Sequence, residues 1–178
     1  MRAVVQRVTS ASVTVDGQVI SQISRGLMVL IGISKNDNAS DVSTLTNKLL
    51  SLRVFPDPIG SDKMWKSSVR DVDGEILCVS QFTLMAETKK GNKPDFHNAM
   101  STEQSRELYQ TLLDTLRRSY KPEKVQDGKF GAMMNVSLTN EGPVTFTLDT
   151  HRFEYVREVP LGTSKNSNTL ESSDSVAQ

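Results

Sequence analysis

The chain reads as an α+β domain in which helices pack on a curved, mostly antiparallel sheet. Three observations predict this class. β-rich runs outnumber helical ones, an Asp16-Gly17 pair separates the first two of them, and only two segments carry apolar residues at helical spacing. Long stretches without a helix between successive β-rich runs point to antiparallel pairing.

The elements follow in order. Ala3–Val8 and Ser12–Val15 are β-rich, and Asp16-Gly17 before Gln18-Val19-Ile20 predicts a hairpin. Leu27–Ile33 is almost continuously apolar, as in a strand buried on both faces. Asn36-Asp37-Asn38 ends it and offers helix caps. Val42, Leu45, Leu49 and Leu52 then recur at helical spacing. Arg53-Val54-Phe55 predicts a short strand before Pro56 and Pro58, with Trp65 anchoring the loop beyond it. Glu75–Gln81 predicts a central strand, and 85–96 an irregular exposed loop. Ser101 with Gln104 has the spacing of a capping box ahead of a second helix striped by Leu108, Leu112, Leu113 and Leu116, ending near Tyr120. Met133–Leu138 and Val144–Leu148 predict two closing strands joined by a Gly142-Pro143 turn.

With 178 residues, 37% of them hydrophobic, one core and one domain over 1–150 are expected. Residues 161–178 hold five serines and no aromatic, so 151–178 is expected to be a polar tail that does not fold by itself. Basic and acidic residues balance at 21 each, which argues against a broad grip on duplex nucleic acid and for a local contact such as a strand end. One cysteine allows no internal disulfide and fits a reducing, cytoplasmic compartment. The N-terminus lacks the pattern of a signal peptide, and no run has the roughly 20 apolar residues of a membrane span.

Cys78 and His97 invite a thiol–base reading, but Cys78 lies between Leu77 and Val79 and reads as a small core residue. Two histidines without a Cys/His cluster do not suggest zinc, and neither a nucleophile elbow nor a phosphate loop is present, so no metal or cofactor is expected. Ser80, Gln81 and Thr83 at a strand end either satisfy local backbone groups or line a pocket, with N–H groups near Phe82 and Thr83 aimed at an oxyanion. Spacing does not choose between the two. Lys89, Lys90 and Lys93 form either a solvated surface or a phosphate contact. Phe130 is either core or a base-stacking ring. Composition offers no reason to expect a cis bond at Gly142-Pro143.

Together, Ser80-Gln81-Phe82-Thr83-Leu84, Asn140-Glu141-Gly142-Pro143-Val144-Thr145, Gly128–Met134 and Lys89–His97 resemble the D-aminoacyl-tRNA deacylases, and the likeness runs in order from Met1 to about Thr150. The resemblance implies a homodimer with a barrel-like core and active sites at the subunit interface. It implies hydrolysis of D-aminoacyl-tRNA at the 3′ acceptor end, with glycyl-tRNA as a side substrate. Ser80, Gln81, Phe82 and Thr83 would form the catalytic end, with Thr83 a polar helper and the neighbouring ribose hydroxyl assisting the water. A cis Gly142-Pro143 would reach into the partner's pocket and exclude L side chains. Phe130, Gly131 and Met133 would hold the terminal adenosine, with Lys89 and Lys90 near its phosphates. The other reading is a DNA- or replication-associated binding protein on the same scaffold, for which a tail with a single lysine beyond Leu161 offers little electrostatic grip.

Overall fold

The computed structural model describes residues 1–59, 63–89 and 91–152. The chain opens with a 14-residue strand β1 (Arg2–Val15), which turns through Asp16 and Gly17 into β2 (Gln18–Ile23). Both turn residues have positive φ, 50° and 79°, as a two-residue hairpin of this twist requires. There follow β3 (Gly26–Gly32), α1 (Ala39–Ser51), β4 (Glu75–Ser80), a 3-10 turn (Phe82–Met85), α2 (Thr102–Ser119), a short β5 (Val125–Asp127) and β6 (Asn135–Asp149).

The sheet is mostly antiparallel, as expected, but mixed. β1 pairs antiparallel with β2, β3 and β6, but β3–β4 and β4–β5 are parallel. The segments containing α1 and α2 are the crossovers that parallel neighbours need. Strand order is β2-β1-β3-β4-β5, with β6 along the other side of β1. The α+β class stands, with a sheet curved toward a barrel.

Both faces of the sheet are apolar. Ala3, Val5, Leu27, Val29, Ile31, Ile76 and Cys78 pack with Val42, Leu45 and Leu49 of α1 and Tyr109, Leu112, Leu113 and Leu116 of α2. Val8, Ala11, Val13, Met28, Leu77 and Val79 point the other way and are joined by the half-buried Met134, Val136 and Leu138. The alternation of β1 changes phase at Arg7/Val8, both buried, and the register with β6 slips beside them. The curvature of the sheet is set there.

Several local expectations change. The closing segment is one 15-residue strand, β6, rather than two strands about a turn. Gly142-Pro143 lies in a bulge inside it: β1 Gln6 pairs Thr145 and Val8 pairs Asn140, so four residues of β6, 141–144, lie opposite Arg7 alone. Asn140 closes this bulge by donating to the carbonyls of Arg7 (2.8 Å) and Val144 (3.0 Å). Val54-Phe55 makes only an isolated bridge to Ser67, and Trp65 is 56% exposed rather than an anchor. The capping box belongs to α1, where Asn38 accepts from Ser40 N–H and Asp41 from Asn38 N–H. At α2, Ser101 Oγ bonds the side chain of Gln104 at 2.9 Å and leaves the helix backbone uncapped.

His151, expected beyond the domain, packs back on it. Its Nε2 lies 2.8 Å from Asp37 Oδ1, the carboxylate that also takes the Met1 ammonium at 2.7 Å. Burial opposes ionisation of the adjoining Asp41, yet the Thr150 hydroxyl, the Asn38 N–H and the ammonium hold it below the usual carboxylate range. The expected tail beyond Arg152 lies outside the described residues.

Candidate active site

β3, β4 and β5 run parallel, and their carboxyl ends face the same way. Such ends, where chain segments diverge, are where side chains and free backbone groups can converge on a ligand. Ser80 is the last residue of β4, and its pairing with β3 continues as Gln81 N–H donates to Ile31 O at 2.7 Å. The chain then tightens into the 3-10 turn, and Arg2 holds that turn by donating to Leu84 O at 3.0 Å while pairing with Asp149. The N–H groups of Phe82 and Thr83 come before the first donor of the turn, Leu84 N–H to Gln81 O, and take no acceptor among the described residues. Gln81 Nε2 donates to Thr83 Oγ1, which orients that hydroxyl. Phe82 is 60% exposed and meets Phe96 edge-on at 5.0 Å.

The neighbouring strand end supplies the second wall. Beyond β5, Gly128 N–H donates to Cys78 O at 3.0 Å, so 128–134 leaves the sheet beside Ser80. Phe130 is half-buried against Tyr109 of α2, with ring centroids 5.7 Å apart, and the Arg106 guanidinium lies over it at 4.9 Å. Gly131 has φ of 77°, and Met133 is 91% exposed. Lys89 is exposed, 3.9 Å from Glu87, and Lys90 falls outside the described residues.

Gly142-Pro143 is not there. Its bulge faces Arg7, which lies level with Leu27 and Ile76, whereas Ser80 pairs with Ile31. Four residues of β4 separate the two levels, roughly 13 Å along the strand. The peptide bond is cis, as the resemblance implied, and Gly142 has φ of 115°. Arg7, 4% exposed, backs the bulge: it donates to Val54 O, and its Nε lies 3.1 Å from Glu141 Oε2 in an ion pair whose geometry misses a hydrogen bond. Arg25 reaches the same carboxylate at 3.4 Å.

The alternative nucleophile fails on geometry. Cys78 is fully buried, and burial pushes its thiol up to about 12. His97 is half-exposed and pairs with Asp95 at 2.9 Å. One triad of possible metal ligands, Asp37, Asp41 and His151, went unseen in the sequence because no His/Cys spacing marks it. Its two carboxylates share the Met1 ammonium. Sequence reasoning also missed Arg106 and Arg7. Positions 106 and 109 share a helix face, but no pattern links that face to Phe130.

A sequence profile of the D-Tyr-tRNA(Tyr) deacylases matches residues 4–149. The chain belongs to that family. The D-aminoacyl-tRNA deacylase of Candida glabrata is 56% identical over 149 residues, covering 84% of this chain and 98% of that protein. The human D-aminoacyl-tRNA deacylase 1 is 55% identical over 149 residues, covering 84% and 70%. A solved structure named c-Myc DNA Unwinding Element Binding Protein superposes with a TM-score of 0.80 at 55% identity, covering 84% and 98%. Among the described residues, no helix of this family member is long and apolar enough to cross a membrane.

Proposed function

We propose that the chain hydrolyses the ester joining a D-amino acid to the terminal ribose of tRNA, as the names of its relatives state for them. The observation that carries this reading is the pair of unengaged N–H groups at Phe82 and Thr83, beside an aromatic loop on the next parallel strand end. An aminoacyl ester is already activated. A site with preformed donors and no ionised nucleophile therefore suits it: the donors stabilise the oxyanion while water attacks. The new bond joins water oxygen to the carbonyl carbon, the bond to the ribose oxygen breaks, and the water's proton ends on that oxygen. The neighbouring ribose hydroxyl assists the water, and Thr83, held by Gln81, is a polar helper. Ser80 shapes the oxyanion end. Phe130, Gly131 and Met133 receive the terminal adenosine, and Lys89 neutralises phosphates further along the acceptor end.

The active unit is a homodimer on this reading. The separation of Gly142-Pro143 from Ser80 within one chain, roughly 13 Å along the strand, supports it. So does the 15-residue strand β6, which pairs only with β1 and leaves one edge open among the described residues. A Gly142-Pro143 bulge from the partner closes each pocket with backbone, which an L side chain would strike. Glycine has no side chain to exclude, so glycyl-tRNA is a second substrate. A cytoplasmic location follows from the substrate. The DNA-associated reading has no support from the charge balance of this chain.

The test is deacylation of paired D- and L-tyrosyl-tRNA by the purified protein. Rapid loss of the D ester with the L ester intact is expected. Equal rates for both, or cleavage of neither, would remove the assignment.

A further inference from the structure

Arg106 sits at the adenosine end of the candidate pocket without a partner of opposite charge. It is exposed on α2, one turn inside the helix N-terminus, and its guanidinium lies 4.9 Å from the Phe130 ring centroid. A Cβ built on Gly131 would come within 3.9 Å of its Nη2, so it covers the loop as well as the ring. Glu103, three residues earlier on the same helix, is not within ion-pair distance, and Arg106 makes no ion pair or hydrogen bond among the described residues. Elsewhere in this fold the arginines at 2, 7, 25 and 117 all face carboxylates. Arg106, like Arg70 over Tyr120, has only a ring beneath it.

We infer that Arg106 is a substrate-binding residue that exchanges partners, giving up the Phe130 ring to the terminal adenine and taking the 5′-phosphate of that same nucleotide. The inference rests on the deacylase reading above and adds a contact to it. Three physical points carry it. A base stacking on the ring face that the guanidinium now covers displaces Arg106 from it. An exposed cation–π contact is weak, whereas a guanidinium–phosphate pair is charge-assisted and can be bidentate. The first turn of α2, whose Ser101 side chain leaves the backbone uncapped, adds the positive end of the helix dipole on the same side of that residue. In the free protein the aromatic contact keeps the arginine over the pocket, ready for the exchange.

The experiment measures binding of two hydrolysis-resistant probes to the full chain: the 3′-amide analogue of D-tyrosyladenosine, and the same compound carrying a 5′-phosphate. In low salt the phosphate should improve wild-type affinity about tenfold. Arg106→Gln should abolish that gain while leaving the unphosphorylated probe within about twofold of wild type, because the base contact is kept. Arg106→Lys should retain only part of the gain, since the charge is kept but the bidentate fork is lost. Arg118→Gln, about 18 Å further along the helix, should behave as wild type and controls for loss of one positive charge. A phosphate gain that survives Arg106→Gln overturns the inference, and so does an equal weakening of both probes. If the wild-type protein binds neither probe, the deacylase reading fails first and the Arg106 assignment falls with it.

Discussion

Replacing Gly142 with alanine is the perturbation whose cost the structure specifies most fully. Gly142 has φ of 115°, where side chains are rarely tolerated, and a Cβ there would lie 2.9 Å from Val144 Cγ2, 3.1 Å from Arg7 Nη2 and 3.2 Å from Val144 N. Neither neighbour can withdraw cheaply. Val144 and Arg7 are 8% and 4% exposed, and Arg7 is held by Val54 O and Glu141. Backbone strain of about 1–3 kcal/mol and overpacking of a similar size add to roughly 2–6 kcal/mol of lost stability. Gly17→Ala is the matched control, because Gly17 also has positive φ, 79°, but a Cβ there meets nothing within 4 Å. It should lose only about 1–2 kcal/mol. Urea unfolding at equilibrium, with m-values compared, reads both losses directly. Under conditions where the Gly142→Ala protein remains folded, its deacylation of D-tyrosyl-tRNA should also fall, since on the proposed reading this bulge closes the partner's pocket. A Gly142→Ala stability loss no greater than that of Gly17→Ala would refute the packing argument.

Two further outcomes follow from the same geometry. Gln81→Ala and Pro143→Ala proteins, each impaired alone, should recover about a quarter of wild-type activity when their subunits are mixed equally: half the dimers are hybrid, and each hybrid has one intact site of two. No recovery after verified exchange would place both elements in the pocket of a single chain. Cys78, with its thiol pushed up to about 12 by burial, should resist a thiol-reactive dye in the native protein at pH 8 and react at once in denaturant. Stoichiometric labelling of the native protein would contradict the packing described for β4.

The local signals in the chain were strong wherever a neighbour in sequence completes the physics. Asp16-Gly17 specified its hairpin, the apolar run Leu27–Ile33 its doubly buried strand, and the stripes of α1 and α2 their core faces, because turn chemistry and helical spacing act over a few residues. The strand-end position of Ser80–Thr83 was legible for the same reason. The capping signal at Ser101–Gln104 misled, since two side chains that can reach a backbone N–H can also satisfy each other. The turn read into Gly142-Pro143 misled as well. Whether glycine and proline end a strand or bulge within it depends on the strand opposite, and β1 was already committed beside them.

The sequence by itself determined the α+β class, most elements and the family, whose two signatures are short and contiguous. Only the tertiary structure decided that β3, β4 and β5 run parallel, so that the 3-10 turn and the Phe130 loop emerge side by side. Only it placed Arg106 over Phe130, Arg7 behind Gly142, and Gly142-Pro143 at the far end of the sheet from Ser80. These contacts join residues dozens of positions apart, and strand direction and register set them once the whole core is buried, so no local pattern along the chain carries them.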